Sequence, residues 1–207
     1  MKIHNIILDL GGVVLNIDYN RTIEAFRQLG IENAAELYTQ QAQFSLFDDL
    51  ETGKISAVEF YDAFRKLTKK DLSDSAIQKA WNAMLLDFPK KRLETLQALS
   101  QQYRLFLLSN TNTIHYEAYT KTLRDTFGIN NLSSFFEKEY YSHEIGVRKP
   151  HAEAFRLILS EQNIKAEETL FVDDSKQHIE GAERQGLKTY LLSNETLEAF
   201  VKRWNLL

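Results

Sequence analysis

The stretch "NIILDLGGVVLNID", Asn5 to Asp18, decides the fold: apolar residues run straight into a carboxylate, two glycines follow, and the chain turns apolar again. A continuous apolar run, as opposed to an alternating one, marks a strand covered on both faces, as in a parallel sheet. An ionised carboxylate at the end of such a run costs several kcal/mol to hold away from water unless a cation, a metal or hydrogen bonds compensate it. Asp9 therefore needs a partner from elsewhere in the chain.

Three further runs have the same character: "RLFLLSN" (Arg104 to Asn110), "TLFVDDS" (Thr169 to Ser175) and "KTYLLSN" (Lys188 to Asn194). A fifth candidate, "EKEYY" (Glu137 to Tyr141), reads as a short edge strand. Helical patterns lie between the runs, and three of them end in glycine before an apolar residue, at Gly30, Gly128 and Gly186, where a left-handed C-cap is expected. Pro89 and Pro150 fall at expected helix starts, where a missing N–H is harmless. Between the first strand and Pro89 the spacing of Phe60, Phe64 and Leu67, and of Ile77, Trp81, Met84 and Leu85, is helical, and "ETGKIS" (Glu51 to Ser56) reads as a loop ending in a Ser56 N-cap. The expectation is an α/β protein: a Rossmann-like parallel sheet core, residues 1–15 and 89–207, with a small helical cap, residues 16–88, inserted after the first strand.

Ligands of an open parallel sheet bind beyond the carboxyl ends of its strands. Asp9 ends one run, Ser109 and Asn110 another, Asp173 and Asp174 a third, while "GVRKP" places Arg148 and Lys149 before a helix. Three carboxylates in one crevice call for a hard divalent cation with oxygen ligands, and Mg²⁺ suits a site beside phosphate. Lys149 and Ser109 would then serve the phosphate oxygens, and Asp9 could act as nucleophile. Taken singly, Ser109 or Asp174 could equally be an N-cap and Lys149 a surface lysine.

As a set, these segments resemble the haloacid dehalogenase superfamily of phosphatases: "ILDLGGVVL", "LLSNTN", "GVRKP" and "FVDDSKQHIEGA" look like its four motifs in order, with a helical insert where that superfamily carries a small cap. The resemblance implies that Asp9 is the nucleophile, that Ser109, Asn110 and Lys149 bind the phosphoryl group, and that Asp9, Asp174, the Gly11 carbonyl and Asp173, directly or through water, hold Mg²⁺. "LNIDYNR", "LETGKIS" and "LSNTNTIH" are similar to stretches of bacterial members acting on α-D-glucose 1-phosphate and related sugar phosphates. Most phosphatases of the superfamily carry Asp two residues after the nucleophile as general acid and base; here Gly11 stands there. His115 is a candidate surrogate for proton transfer, with His143 behind it, and Asp18 and Arg21 are candidate substrate contacts, although "IDYNR" also reads as a helix start. Gly12 is expected to give the backbone clearance beside the nucleophile.

Composition bounds the alternatives. The 207 residues carry a formal charge of −4, so no general attraction to nucleic acid or anionic membrane is expected, and with no cysteine there is neither disulfide nor thiolate chemistry. The apolar run at Asn5 is far too short to span a bilayer, and the chain reads as a cytoplasmic protein acting on a small phosphorylated metabolite. Two other readings remain: an idle phosphate-metabolite sensor, favoured by Gly11, and a metal-independent dehalogenase, disfavoured by paired Asp173 and Asp174.

Overall fold

The computed structural model describes residues 2–37 and 45–207. Five parallel strands form one sheet in the order β3-β2-β1-β4-β5: β1 (Asn5–Leu8), β2 (Arg104–Ser109), β3 (Lys138–Tyr141), β4 (Thr169–Asp173) and β5 (Lys188–Leu191). All five expected runs are strands, and "EKEYY" is an edge. Successive side chains point to opposite faces, and both faces are covered. Ile6, Leu8, Leu105, Leu107, Leu170 and Val172 enter one apolar cluster, and Ile7, Phe106, Leu108, Tyr140 and Phe171 enter another. That double burial is why the strands read as unbroken apolar runs.

Helices α1 (Tyr19–Gln28), α2 (Ala34–Leu37), α3 (Ser45–Glu51), α4 (Ala57–Thr68) and α5 (Asp74–Trp81) follow β1. Then come α6 (Lys90–Ser100), α7 (Thr113–Phe127), α8 (Ser142–Ile145), α9 (Ala152–Glu161), α10 (Lys176–Glu183) and α11 (Leu197–Arg203) around the sheet. The helices of the insert pack about an aromatic cluster of their own, in which the Phe60 ring lies against Phe47, Phe64 and Trp81. Ser56 caps α4 in a full capping box with Glu59. The chain enters and leaves the insert through two adjacent strand-like segments, with Ile17 bridging Leu85 antiparallel and Asn16 exchanging backbone hydrogen bonds with Leu86 and Asp87. Buried Arg92 fastens this hinge, reaching Asn16 Oδ1 at 2.9 Å and Glu198 at 3.5 Å.

The three glycine stops take left-handed φ values, +81° at Gly30, +69° at Gly128 and +82° at Gly186. Two details depart from expectation. Pro89 is the N-cap of α6, whereas Pro150 lies in a cis bond two residues ahead of α9, whose N-cap is His151. Leu67 is 40% exposed on the outer side of α4, so the apolar stripe there stops at Phe64. Among the described residues no helix is long and apolar enough to cross a membrane.

Phe60 is fully buried at the centre of the insert's cluster. Phe60→Ala is expected to lower stability by about 3–5 kcal/mol, the usual cost of an aromatic-sized cavity, measured as the shift of the urea unfolding midpoint. A shift too small to resolve would show that the insert contributes little to global stability.

Candidate active site

Sheet register assembles the site. Leu8 pairs with Leu107 and Val172, so the next residue, Asp9, stands level with Asp173, and its N–H donates to the Val172 carbonyl at 3.0 Å. Asp174 follows, and Ser109 ends β2 on the other side. The starts of α7 and α10 open at the same edge, adding backbone N–H groups and positive potential. Gly12 takes φ +76°, and a Cβ there would collide with the Asp174 carboxylate. Only glycine lets the two segments come this close.

Lys149 is the missing partner of Asp9. Its ammonium is fully buried, 2.7 Å from Asp9 Oδ1 and 2.7 Å from Asp173 Oδ2. Asp173 also accepts hydrogen bonds from the Ser175 N–H at 2.8 Å and from His178 Nδ1 at 3.0 Å. Burial alone would raise the Asp173 carboxyl, but Lys149 and His178 outweigh it and hold it at about 2. Burial would likewise depress Lys149, yet Asp173 and Asp9 raise it, keeping the ammonium charged. Asp9 is pushed up by burial against the pull of Lys149, and Asp174 is pushed to about 7 by burial and then by the charges of Asp9 and Asp173. The cluster holds more carboxylate than its lysine and histidine can match. Ligand oxygens of Asp9, Asp173 and Asp174 lie within 4.8 Å of one another, so the donor set fits a hard divalent cation, which would supply the charge the protein lacks.

The loops around this cluster have clear local causes. Asn110 clasps Lys149, its Nδ2 donating to the Lys149 carbonyl and its Oδ1 accepting the Lys149 N–H, both at 2.9 Å. Its side chain thus positions the lysine-bearing segment. Ser142 Oγ accepts the Thr111 N–H and donates to the Thr111 carbonyl, each at 2.9 Å. Asn112, and not Ser109, caps α7, and α10 starts after Ser175, so neither Ser109 nor Asp174 is spent as an N-cap.

Asp9, Ser109, Asn110, Asp174 and His178 line a cavity of about 70 Å³ roofed by the insert through Ile17, Tyr19, Met84 and Leu85. A Cβ at Gly11 would lie 3.1 Å from Ile17 Cδ1, so a side chain at position 11 would press on the end of Ile17, which would have to give by a few tenths of an ångström. His115 lines the same cavity but is buried: its ring stacks on Trp81 at 4.9 Å, and Nδ1 is 2.8 Å from Asn82 Oδ1. Burial lowers its pKa to about 3, so it is neutral near pH 7. Asp18 and Arg21 are not brought to the cavity. Asp18, half-buried, caps α1 and pairs at 3.7 Å with the exposed Arg21. His143 also lies outside that cavity, with its ring against Tyr116 and Tyr141. A larger groove of about 660 Å³ lies at the opposite ends of the strands, beside His4, Arg104 and Glu137, far from the carboxylates.

Sequence reasoning gave no role to His178 or Asn82. His178 had a local signal, since five residues after Asp173 is the first turn of the following helix. Asn82 had none, because its pairing with His115 crosses from insert to core.

The family model for haloacid dehalogenase-like hydrolases matches residues 3–196. D-ribitol-5-phosphate phosphatase of Bacteroides thetaiotaomicron is 30% identical over 93% of this chain and 93% of its own length. Among solved structures, an aspartate-to-alanine variant of a HAD family enzyme from the same organism, in complex with magnesium and inorganic phosphate, superposes with a TM-score of 0.88 at 34% identity, covering 96% of this chain and 98% of the other. A HAD-like family hydrolase from Porphyromonas gingivalis gives 0.88 at 31% identity, covering 99% and 98%.

A neutral buried histidine makes stability depend on pH. With its pKa lowered from 6.5 to about 3, His115 is protonated only in the unfolded chain between those values. Its contribution is therefore complete above about pH 6.5 and is lost at up to about 1.4 kcal/mol per pH unit as pH falls. His115→Gln is expected to flatten the pH dependence of urea unfolding between pH 6.5 and 4.5. Parallel curves for variant and wild type would refute the assignment.

Proposed function

The chain belongs to the haloacid dehalogenase-like hydrolase family, and from that membership we propose that it hydrolyses the phosphate monoester of a small metabolite, a sugar or polyol phosphate, with Asp9 as nucleophile. The observation that carries this reading is Lys149 buried between Asp9 and Asp173, with Asp174 tucked against Gly12. Lys149 holds one oxygen of Asp9, leaving the other to attack phosphorus in line with the ester bond. The attack forms an aspartyl phosphate and expels the metabolite's oxygen, and water then returns Asp9 and releases phosphate. Ser109 and Lys149 bind the phosphoryl oxygens, with Asn110 keeping the lysine in place. Asp9, Asp173, Asp174 and the Gly11 carbonyl would hold Mg²⁺, which when bound would neutralise charge shared by the carboxylates and the phosphoryl group.

The insert, residues 16–88, acts as a cap over the core, residues 1–15 and 89–207, excluding water and selecting the leaving group. Without an acid at position 11, the leaving oxygen takes its proton from water. Neutral His115 offers hydrogen bonding at the cavity wall but no acidic proton near pH 7. A hexose 1-phosphate belongs to the same substrate class, but the resemblance to a D-ribitol-5-phosphate phosphatase favours a polyol phosphate. The absence of acidic side chains at position 11 favours one other reading, a phosphate-metabolite sensor without turnover. The clustered carboxylates disfavour dehalogenation. A cytoplasmic site of action completes the proposal.

Phosphate release from D-ribitol 5-phosphate, α-D-glucose 1-phosphate and p-nitrophenyl phosphate is expected with Mg²⁺ and is expected to vanish with chelator. Asp9→Asn should abolish it in a folded protein. Binding without turnover for every ester would favour the sensor. Position 11 gives a second test. Ile17→Val removes the close Cδ1 atom, so Gly11→Asp combined with Ile17→Val should accelerate the sugar phosphates by about tenfold or more while changing p-nitrophenyl phosphate little, because a poor leaving group gains most from an acid. A fall for all three esters would show that position 11 must stay without a side chain.

A further inference from the structure

Lys149 sits on a segment restrained from several sides. Asn110 clasps its backbone, and the Pro150 carbonyl packs so closely on Gly181 that a Cβ there would lie 2.6 Å away. Both restraints belong to the core. The residue before the lysine reaches the other way. Arg148, with its side chain only 15% exposed, pairs through Nη1 with Asp48 and through Nη2 with Glu51 at 3.1 Å, both on helix α3 of the insert. Just beyond α3, Gly53 lies so close to the His143 carbonyl that a Cβ would collide with it. The end of α3 is thus seated on the segment that leads into Lys149. Two carboxylates on the insert face one guanidinium adjacent in sequence to the lysine that grips Asp9.

We propose that Arg148 is a positioning residue: its paired contact with Asp48 and Glu51 couples seating of the helical insert to the placement of Lys149 against Asp9. A planar guanidinium with two carboxylate partners fixes direction as well as distance, which a single flexible pair would not. When the insert lifts, Arg148 loses both partners and the lysine segment keeps only its core restraints. Full engagement of Lys149 then coincides with a covered cavity, and the nucleophile is held ready only under the insert. This inference rests on the phosphatase reading for its kinetic consequence, while the mechanical coupling stands apart from it.

The test uses the 207-residue chain with Arg148→Met, the pair Asp48→Asn and Glu51→Gln, and the triple variant. Amide hydrogen exchange is expected to rise together in residues 45–51 and 146–149 in each variant. A rise confined to 45–51 would overturn the coupling. With D-ribitol 5-phosphate and Mg²⁺, kcat is expected to fall about tenfold in both Arg148→Met and the carboxylate pair, and the triple variant should be no worse than Arg148→Met, the signature of groups acting as one unit. A rise in KM alone, or independent losses that multiply in the triple variant, would refute the positioning role. Should wild type hydrolyse no ester, the phosphatase reading fails and the exchange measurement still decides the coupling. Should Arg148→Met not fold, the carboxylate pair, which leaves the core sequence intact, decides both arms.

Discussion

A buried ammonium between two carboxylates organises this molecule. Lys149 is inaccessible to water and touches Asp9 and Asp173 at equal distances, tying the end of β1 to the end of β4 through the segment ahead of α9. Removing a charge from water is costly, and the arrangement holds because every participant is over-determined: Asp173 by the Ser175 N–H and His178, Lys149 by Asn110, Asp174 by its contact with Gly12. The parallel sheet supplies the geometry, since its register sets Asp9 level with Asp173 before any side chain is chosen.

Much of this was readable because it is local. Strands covered on both faces leave unbroken apolar runs, glycine stops mark helix ends, and the polar residues that interrupt apolar runs fall where an α/β sheet binds ligands. What could not be read depends on contacts across the chain. Nothing near Asn110 shows that its amide takes the backbone N–H and carbonyl of a residue 39 positions away. His115 is buried because Trp81 stacks on it, and nothing near position 115 announces an aromatic ring from the insert. Asp18 and Arg21 lie beside motif residues in sequence but obey the local demand of a helix start. Neighbourhood in sequence carries no sign of such contacts, and the pairing of Arg148 with a helix 100 residues earlier was invisible for the same reason.

Gly11, Ile17 and His115 describe one region from three sides. Gly11 brings no side chain next to Asp9, Ile17 lies close against the place a Cβ there would take, and burial holds the His115 imidazole neutral. The strand ends bring the carboxylates of Asp9 and Asp174 to one side of the cavity, and Ile17, Met84 and Leu85 make the insert side largely apolar. Such a division suits stabilisation of the phosphoryl group more than proton delivery.

The bridge between Ile17 and Leu85 has a topological consequence. Partners in an antiparallel pair lie only about 5 Å apart, so a short turn could join the two ends and close the core without the helices between them. The residues between them therefore impose almost no spacing on the sheet to which they are attached, and the loop-closure entropy of longer or shorter versions changes only with the logarithm of length. A lineage could replace or resize that whole segment while the strand ends, and the groups they carry, stayed in register.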